Sequence, residues 1–314
     1  MSQKFVWQTS CLYEDSSDTD RTSPGDVAAR CSKDKVWEAE KIMAVAQNPV
    51  AATPRSARVK KSLDGGVGII TLNYPEKHNA LSAELIGDLL EALADLTASG
   101  ARVAILRAAP GAKVWSAGHD VKELPTNGRD PLTYDDPLRR VVRAIKGVAI
   151  PVIAMIEGGV WGGACELVMS CDVVIAAEGA AFAVTPAKLG VPYDIEGVLS
   201  FMQSTGLPVI KEMLFTAQPI PAERALRAGI VNQVVQADQL EGTTLELAKQ
   251  MTRNSPLVIG LLKEELHVLA ESNSLNPEGF ERIQGLRRRI YDSADYQEGI
   301  RSFFERRAPQ FQGR

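Results

Sequence analysis

Two short stretches carry the means for chemistry that needs no charged catalyst: Ser116-Ala-Gly-His-Asp120 and Trp161-Gly-Gly-Ala-Cys-Glu166. Each places glycine where a strand should hand over to a loop or helix, and glycine lets the backbone approach a ligand with no Cβ in the way. The second stretch also opens an apolar helix, so its first N–H groups are free and sit at the positive end of the helix dipole. Two backbone N–H groups converging on one oxygen make an oxyanion hole. Such a hole would stabilise a developing enolate or another oxyanion.

Other chemistries lose weight on the same reading. There are three histidines (His78, His119, His267), none paired at metal-ligand spacing. No GxGxxG, Walker A or GxSxG pattern occurs, which disfavours Rossmann redox chemistry, nucleotide hydrolysis and the common serine-hydrolase design. The four cysteines (Cys11, Cys31, Cys165, Cys171) form no CxxC pair, which favours a reducing, cytoplasmic setting. A net charge of −4 argues against a nucleic-acid binder, since a broad basic surface is missing; the run Arg287-Arg-Arg289 reads as a solvated helix face or an interface. No apolar run reaches the ~18 residues of a membrane span.

The elements that must position the glycine stretches follow from periodicity. Gly68–Leu72 reads as a strand. Ser82 is an N-cap with Glu84 in the first turn of a helix carrying Leu85, Leu89, Leu93 and Leu96 and stopping at Gly100. Val103–Arg107 is the next strand, giving a β-α-β unit. Tyr134 to Lys146 reads as an amphipathic helix with Leu138, Val141, Val142 and Ile145 inward. Strands are expected at 151–156, 172–176 and 181–184, with a helix from Gly162 to Cys171 between the first two. Beyond Pro221 strands become scarce, and helices are expected at 221–228, 238–253, 256–271, 277–292 and 296–307. Residues 1–55 are rich in Ser, Thr, Asp and Ala and lack strong periodicity. They are expected to be a disordered extension, with a short helix possible at 35–47, and carry no apolar signal core. The domain then runs over 56–314, as a β/α core (56–220) and a helical region (221–314).

These residues resemble the crotonase superfamily, the enoyl-CoA hydratase/isomerase group. Asn79-Ala-Leu-Ser82, the two glycine stretches, Cys171-Asp172, Leu189-Gly190, Ala225-Leu-Arg-Ala-Gly-Ile-Val231 and the ending from Asp295 to Arg307 occur in the family's order and spacing, over roughly Val67 to Arg314. The resemblance implies an α/β fold built as a spiral of ββα turns with a helical C-terminal trimerisation region. It also implies a homotrimer or homohexamer and an acyl-CoA thioester substrate. Within the superfamily the chain is most similar to the decarboxylase branch, through Ser116–Pro125, Gly128–Pro131, Tyr134–Pro137, Thr185-Pro-Ala-Lys-Leu-Gly-Val-Pro-Tyr193, Phe280–Gly285 and Tyr291–Ser293. That similarity implies conversion of methylmalonyl-CoA to propionyl-CoA and CO2 without biotin, metal or other cofactor.

The resemblance also assigns residues. The N–H groups of His119 and Gly163 would hold the thioester oxygen, and the His119 imidazole would line the pocket. Tyr193 would hydrogen-bond the departing carboxylate, and Thr185 either contacts it too or bonds backbone at a strand end. Lys77, Ala80, Ala117, Gly118, Asp120, Trp161, Gly162 and Arg306 would help bind the CoA ester; for Lys77 and Arg306 a solvated surface is the competing reading. A hydratase of this family uses two glutamates on one water. Glu166 matches the first, but Ala187 occupies the second position and cannot take a proton. Glu166 is then either a hydrogen-bonding partner or a helix N-terminal carboxylate. Decarboxylation needs no general base. The rivals are another crotonase-type isomerase, hydrolase or decarboxylase, or a non-catalytic acyl-CoA- or RNA-binding protein.

Overall fold

The computed structural model describes residues 57–124, 136–271 and 277–313; the expected N-terminal extension, its 35–47 helix and the start of the Tyr134 helix lie outside them. The described residues belong to one unit, Ser56–Arg314. Strand β1 (Val59–Asp64) turns through Gly65 and Gly66, both at positive φ, into antiparallel β2 (Val67–Leu72). Helix α1 (Ala83–Ala98) follows, its N-terminus capped by Ser82 Oγ accepting from the Leu85 N–H at 3.3 Å. Leu85, Leu89, Leu93 and Leu96 are buried on one face, as the spacing predicts, and each such burial is worth about 1.5–3 kcal/mol.

Three turns of a repeating unit come next. The first is β3 (Val103–Ala108), β4 (Val114–Ser116) and helix α2 (Pro137–Gly147); the second is β5 (Val152–Ile156), β6 (Gly159–Trp161) and α3 (Gly163–Met169). The third is β7 (Val173–Ala177), β8 (Ala181–Ala183) and, after a 3-10 turn at Pro186–Leu189, α4 (Ile195–Ser204). In every turn the first strand joins a six-stranded sheet ordered β1-β2-β3-β5-β7-β10 and the second joins a four-stranded sheet ordered β4-β6-β8-β9. This is the ββα spiral that the resemblance implies. Helix α5 (Leu207–Thr216), β9 (Ile220–Pro221), α6 (Ala222–Arg227) and β10 (Gln233–Val235) close both sheets. Helices α7 (Leu240–Thr252), α8 (Pro256–Glu271), α9 (Pro277–Tyr291) and α10 (Ala294–Glu305) complete the helical end. β1, α4, α5 and β10 are elements that sequence periodicity does not announce.

Strands β3 and β5 are buried throughout because both faces of the large sheet are covered. Ala104, Leu106, Ala154 and Ile156 pack toward α1 and α2, while Val103, Ile105, Ile153 and Met155 pack toward Leu240 and Ala248 of α7. Lys263 fastens α8 to this body: its ammonium donates to the Ile145 and Ile150 carbonyls (2.8 and 3.0 Å) and to Asp172 (2.7 Å). Helix α10 meets the 3-10 turn backbone to backbone, since a Cβ at Gly299 would fall 2.0 Å from the Leu189 carbonyl oxygen. Among the described residues no helix is long and apolar enough to cross a membrane.

The segment after α10 is tied down by two carboxylates: Asp295 accepts the Gln312 and Gly313 N–H groups (2.6 and 2.8 Å), and Glu298 holds the residues before them. Glu298 accepts from Arg307 (2.9 Å), Arg301 (2.7 Å) and the Gln310 N–H (2.9 Å). Arg307 first, then Arg301 and the Gln310 amide, hold its pKa far below the ordinary carboxylate range. A depressed pKa contributes stability above the ordinary value and loses it as pH falls through the depressed one. At neutral pH the bonds are therefore intact, and Glu298→Gln is expected to speed carboxypeptidase trimming of residues 308–313 relative to wild type. Equal trimming rates would refute this anchoring.

Candidate active site

The site forms where neighbouring strands of the small sheet run out side by side. β4 and β6 pair in parallel (Val114↔Gly159, Ser116↔Val160), so Gly118 and His119 emerge beside Gly162 and Gly163. The approach is close: a Cβ on Gly118 would lie 2.3 Å from the Trp161 carbonyl oxygen and 3.0 Å from Gly163 N. Gly118 has φ +82° and Gly162 φ +55°, so glycine is required for conformation as well as for space. Neither the His119 nor the Gly163 N–H donates to another group among the described residues. Gly163 is also the first residue of α3, which adds the dipole's positive end.

The loop before α1 locks this geometry. Asn79, buried and at φ +51°, donates from its amide to the Trp115 carbonyl (2.9 Å) and accepts the Tyr74 N–H (2.8 Å). The Asn79 carbonyl accepts the Ser116 hydroxyl (2.7 Å), which in turn accepts the Gly118 N–H (3.2 Å). On the far side β8 pairs with β6, the Gly162 N–H donates to the Ala183 carbonyl (2.8 Å), and Thr185 Oγ1 lies 3.1 Å from where a Gly162 Cβ would stand.

These segments line a cavity of about 590 Å³. Of the residues expected at the site, Lys77, Ala80, Ala117, His119 and Asp120 line one side, and Gly162, Gly163, Thr185 and Tyr193 the other. The Nδ1 atom of His119 is buried with no partner among the described residues. Lys77 is exposed, is bound to Asp120 (3.1 Å) and sits over the Tyr74 ring.

Four expected residues stand off the wall. Gly118 supports it from behind through its backbone. The Trp161 indole folds back onto Gly159, where a Cβ would meet its ring at 2.1 Å, and so faces away from the cavity. Arg306 caps α10 in a left-handed conformation and is exposed. Glu166 is wholly buried behind the wall.

Glu166 belongs to a charged cluster that sequence reading missed. Its Oε2 accepts from the Arg139 guanidinium and from the Tyr193 hydroxyl (2.9 Å), while Oε1 is buried without a partner among the described residues. Arg139 also pairs with Asp194 (2.9 Å) and approaches Glu196 (3.9 Å). Arg139 is the member that lines the cavity beside Tyr193. Burial works against the Arg139 charge, but the Glu166 and Asp194 carboxylates outweigh it and raise its pKa. Burial raises the Glu166 pKa, with Arg139 opposing. Burial and then the Glu166 charge raise the Tyr193 phenol, which stays protonated. With its hydroxyl donating to Glu166, the Tyr193 oxygen can only accept further bonds. The one signal for Arg139 in the sequence is its place between Leu138 and Val142 on the inward stripe of α2.

A family model described as "Enoyl-CoA hydratase/isomerase" matches residues 62–314. The chain is 51% identical over 247 residues to methylmalonyl-CoA decarboxylase of Escherichia coli (strain K12), covering 79% of this chain and 95% of that protein. It superposes with a TM-score of 0.81 and 49% identity on a solved structure of methylmalonyl-CoA decarboxylase in complex with 2-nitronate-propionyl-CoA, covering 83% of this chain and 100% of that one. A second solved structure, of methylmalonyl-CoA decarboxylase complexed with 2S-carboxypropyl CoA, gives the same TM-score, identity and coverage.

Proposed function

The chain belongs to the enoyl-CoA hydratase/isomerase family, and from that premise we propose that it is a carbon–carbon lyase that decarboxylates methylmalonyl-CoA to propionyl-CoA and CO2. The observation that carries this reading over hydration is the position of Glu166. It lies behind the wall, engaged by Arg139 and Tyr193, and Ala187 offers no second carboxylate. Among the described residues the wall holds no pair of carboxylates to activate a water.

Decarboxylation uses what is present. The bond from C2 to the carboxylate breaks, CO2 leaves, and the electron pair moves into the thioester as an enolate. The enolate oxygen takes hydrogen bonds from the His119 and Gly163 N–H groups. Each such donor is worth about 2.7–4 kcal/mol at the transition state. A proton then adds at C2. The carboxylate would turn out of the thioester plane against Tyr193 and Thr185. There it meets a phenol whose hydroxyl already donates its hydrogen bond to Glu166, and one guanidinium already shared among Glu166, Asp194 and Glu196. A poorly solvated carboxylate is relieved by leaving as neutral CO2. Tyr193 thus acts by withholding its proton, where the resemblance implied that it donates one to the carboxylate.

Lys77 and Asp120 at the cavity mouth, with Ala80 and Ala117, are assigned to the CoA moiety. Arg306, being off this wall, would contribute only from a neighbouring copy. The exposed Leu257, Leu261, Leu266 and Leu269 of α8 suit a homotrimer or a hexamer. The free thiols Cys165 and Cys171 suit the cytoplasm. The step calls for neither biotin nor metal.

The test is to incubate purified protein, freed of biotin and metal, with methylmalonyl-CoA and to follow CoA esters by mass. Propionyl-CoA is expected, whereas crotonyl-CoA should gain no water. Unchanged methylmalonyl-CoA from a folded protein that binds CoA esters would discard the proposal in favour of a different acyl-CoA reaction.

A further inference from the structure

The position of Tyr193 depends on a residue that has no side chain. A Cβ on Gly197 would stand 2.2 Å from Tyr193 Cε1, 2.6 Å from its Cδ1 and 2.9 Å from Glu166 Oε2. These atoms belong to a ring and to a buried carboxylate already held by Arg139, so none can swing aside cheaply. Gly197 lies in the first turn of α4, and one helical turn on, Phe201 packs against the same ring with centroids 5.1 Å apart. The Tyr193 ring therefore lies in a slot whose floor is Gly197 and whose end is Phe201. The same turn anchors the rest of the cluster: Asp194 Oδ1 accepts the Gly197 N–H (2.6 Å), and Asp194 Oδ2 pairs with Arg139.

We propose that Gly197 is a positioning residue of the reaction, its missing side chain being what lets the Tyr193 ring approach α4 closely enough for its hydroxyl to donate to Glu166. The catalytic part of this inference rests on the decarboxylase reading above; the placement of the ring does not. The glycine is not required by the backbone, because position 197 lies in a helix with ordinary negative φ, where alanine is the better helix former. Loss of function on substitution would then come from the displaced ring and not from a melted helix.

The experiment compares wild type, Gly197→Ala, Tyr193→Ala and the double variant, with Tyr193→Phe as a spectroscopic reference. The hydrogen-bonded Tyr193 hydroxyl proton is assigned as the NMR resonance that Tyr193→Phe removes. It is expected to vanish or shift in Gly197→Ala. With methylmalonyl-CoA, kcat is expected to fall on the order of 10–100-fold in Gly197→Ala, the cost of a misplacement of about 1 Å, while KM holds. In the Tyr193→Ala background the same substitution should add a much smaller loss, since no ring remains to be displaced and only the 2.9 Å approach to Glu166 is left. If Gly197→Ala alone fails to fold, the double variant should recover its thermal midpoint. An unmoved resonance, an equal fold-loss in both backgrounds, or a double variant as unstable as the single one would each overturn the proposal. Absence of turnover in wild type, with the resonance still lost in Gly197→Ala, would reject the decarboxylase reading and leave the placement of Tyr193 standing.

Discussion

Gly118→Ala is expected to lower kcat for propionyl-CoA formation by about 10²–10³-fold, the loss that follows removal of one oxyanion donor. The new methyl group would stand 2.3 Å from the Trp161 carbonyl oxygen and 3.0 Å from Gly163 N. Both are backbone atoms, one at the end of β6 where Trp161 pairs with Ala183 of β8 and the other at the first residue of α3, so neither can yield without disturbing those elements. The φ of +82° adds a conformational cost of roughly 1–2 kcal/mol for any residue with a Cβ. The 118–119 peptide must rotate or withdraw, and it takes the His119 N–H with it. CoA-ester binding, which draws on the wider cavity, should suffer less than turnover. A variant with wild-type kcat would show that the His119 N–H does not bear the developing charge.

Arg139→Met is expected to cost about 3–5 kcal/mol of stability, the usual penalty for leaving buried charge uncompensated. Glu166 and Asp194 would then face each other with no cation between them. For a domain of this size each kcal/mol moves the thermal midpoint by roughly 2–4 °C, so a fall of about 6–20 °C is expected. The pH dependence has a definite sign. Burial already raises the Glu166 pKa, and Arg139 is the largest opposing influence. Without the guanidinium the folded-state pKa rises further above the unfolded one. The penalty is then absent below the ordinary carboxylate range and grows as pH climbs through it toward the raised value. The gap between variant and wild type should therefore narrow in acid, and adding Glu166→Gln should return part of the midpoint at neutral pH. A gap that is constant with pH would mean that Arg139 matters for its packing alone.

The parts of the molecule legible in its sequence are those whose cause is local. The leucine stripe of α1, the Ser82 cap, the strands at 103 and 152 and the two glycine stretches each announce themselves within a few residues. The spiral leaves no sequence repeat because its turns share only strand order, and the resemblance supplied it. What escaped depends on distant partners. β1 has five of six residues at least partly open to solvent and no alternation, and it exists because β2 pairs with it. Helices α4 and α5 are interrupted to the eye by Gly197, Gly206 and Pro208, and Gly197 serves a ring rather than the helix. Arg139, in a stretch reading Leu-Arg-Arg-Val-Val, looks solvated until Glu166 arrives from 27 residues away. The resemblance implies that Trp161 helps bind the CoA ester, yet its indole packs over Gly159, a placement that depends on the residue two before it in the strand.

The backbone contact between Gly299 and Leu189 gives the molecule a temporal order. The turn that carries Thr185, Pro186 and Leu189 on the cavity wall leans on α10, which is made after every strand of both sheets. A chain folding as it emerges from the ribosome can lay down both sheets and both glycine stretches early. It acquires a finished cavity wall only once residues 294–305 are free to dock. A chain still lacking residues 294–305 would therefore hold its two glycine stretches side by side next to an unsupported wall, so the order of synthesis places the completion of the site after the formation of its backbone frame.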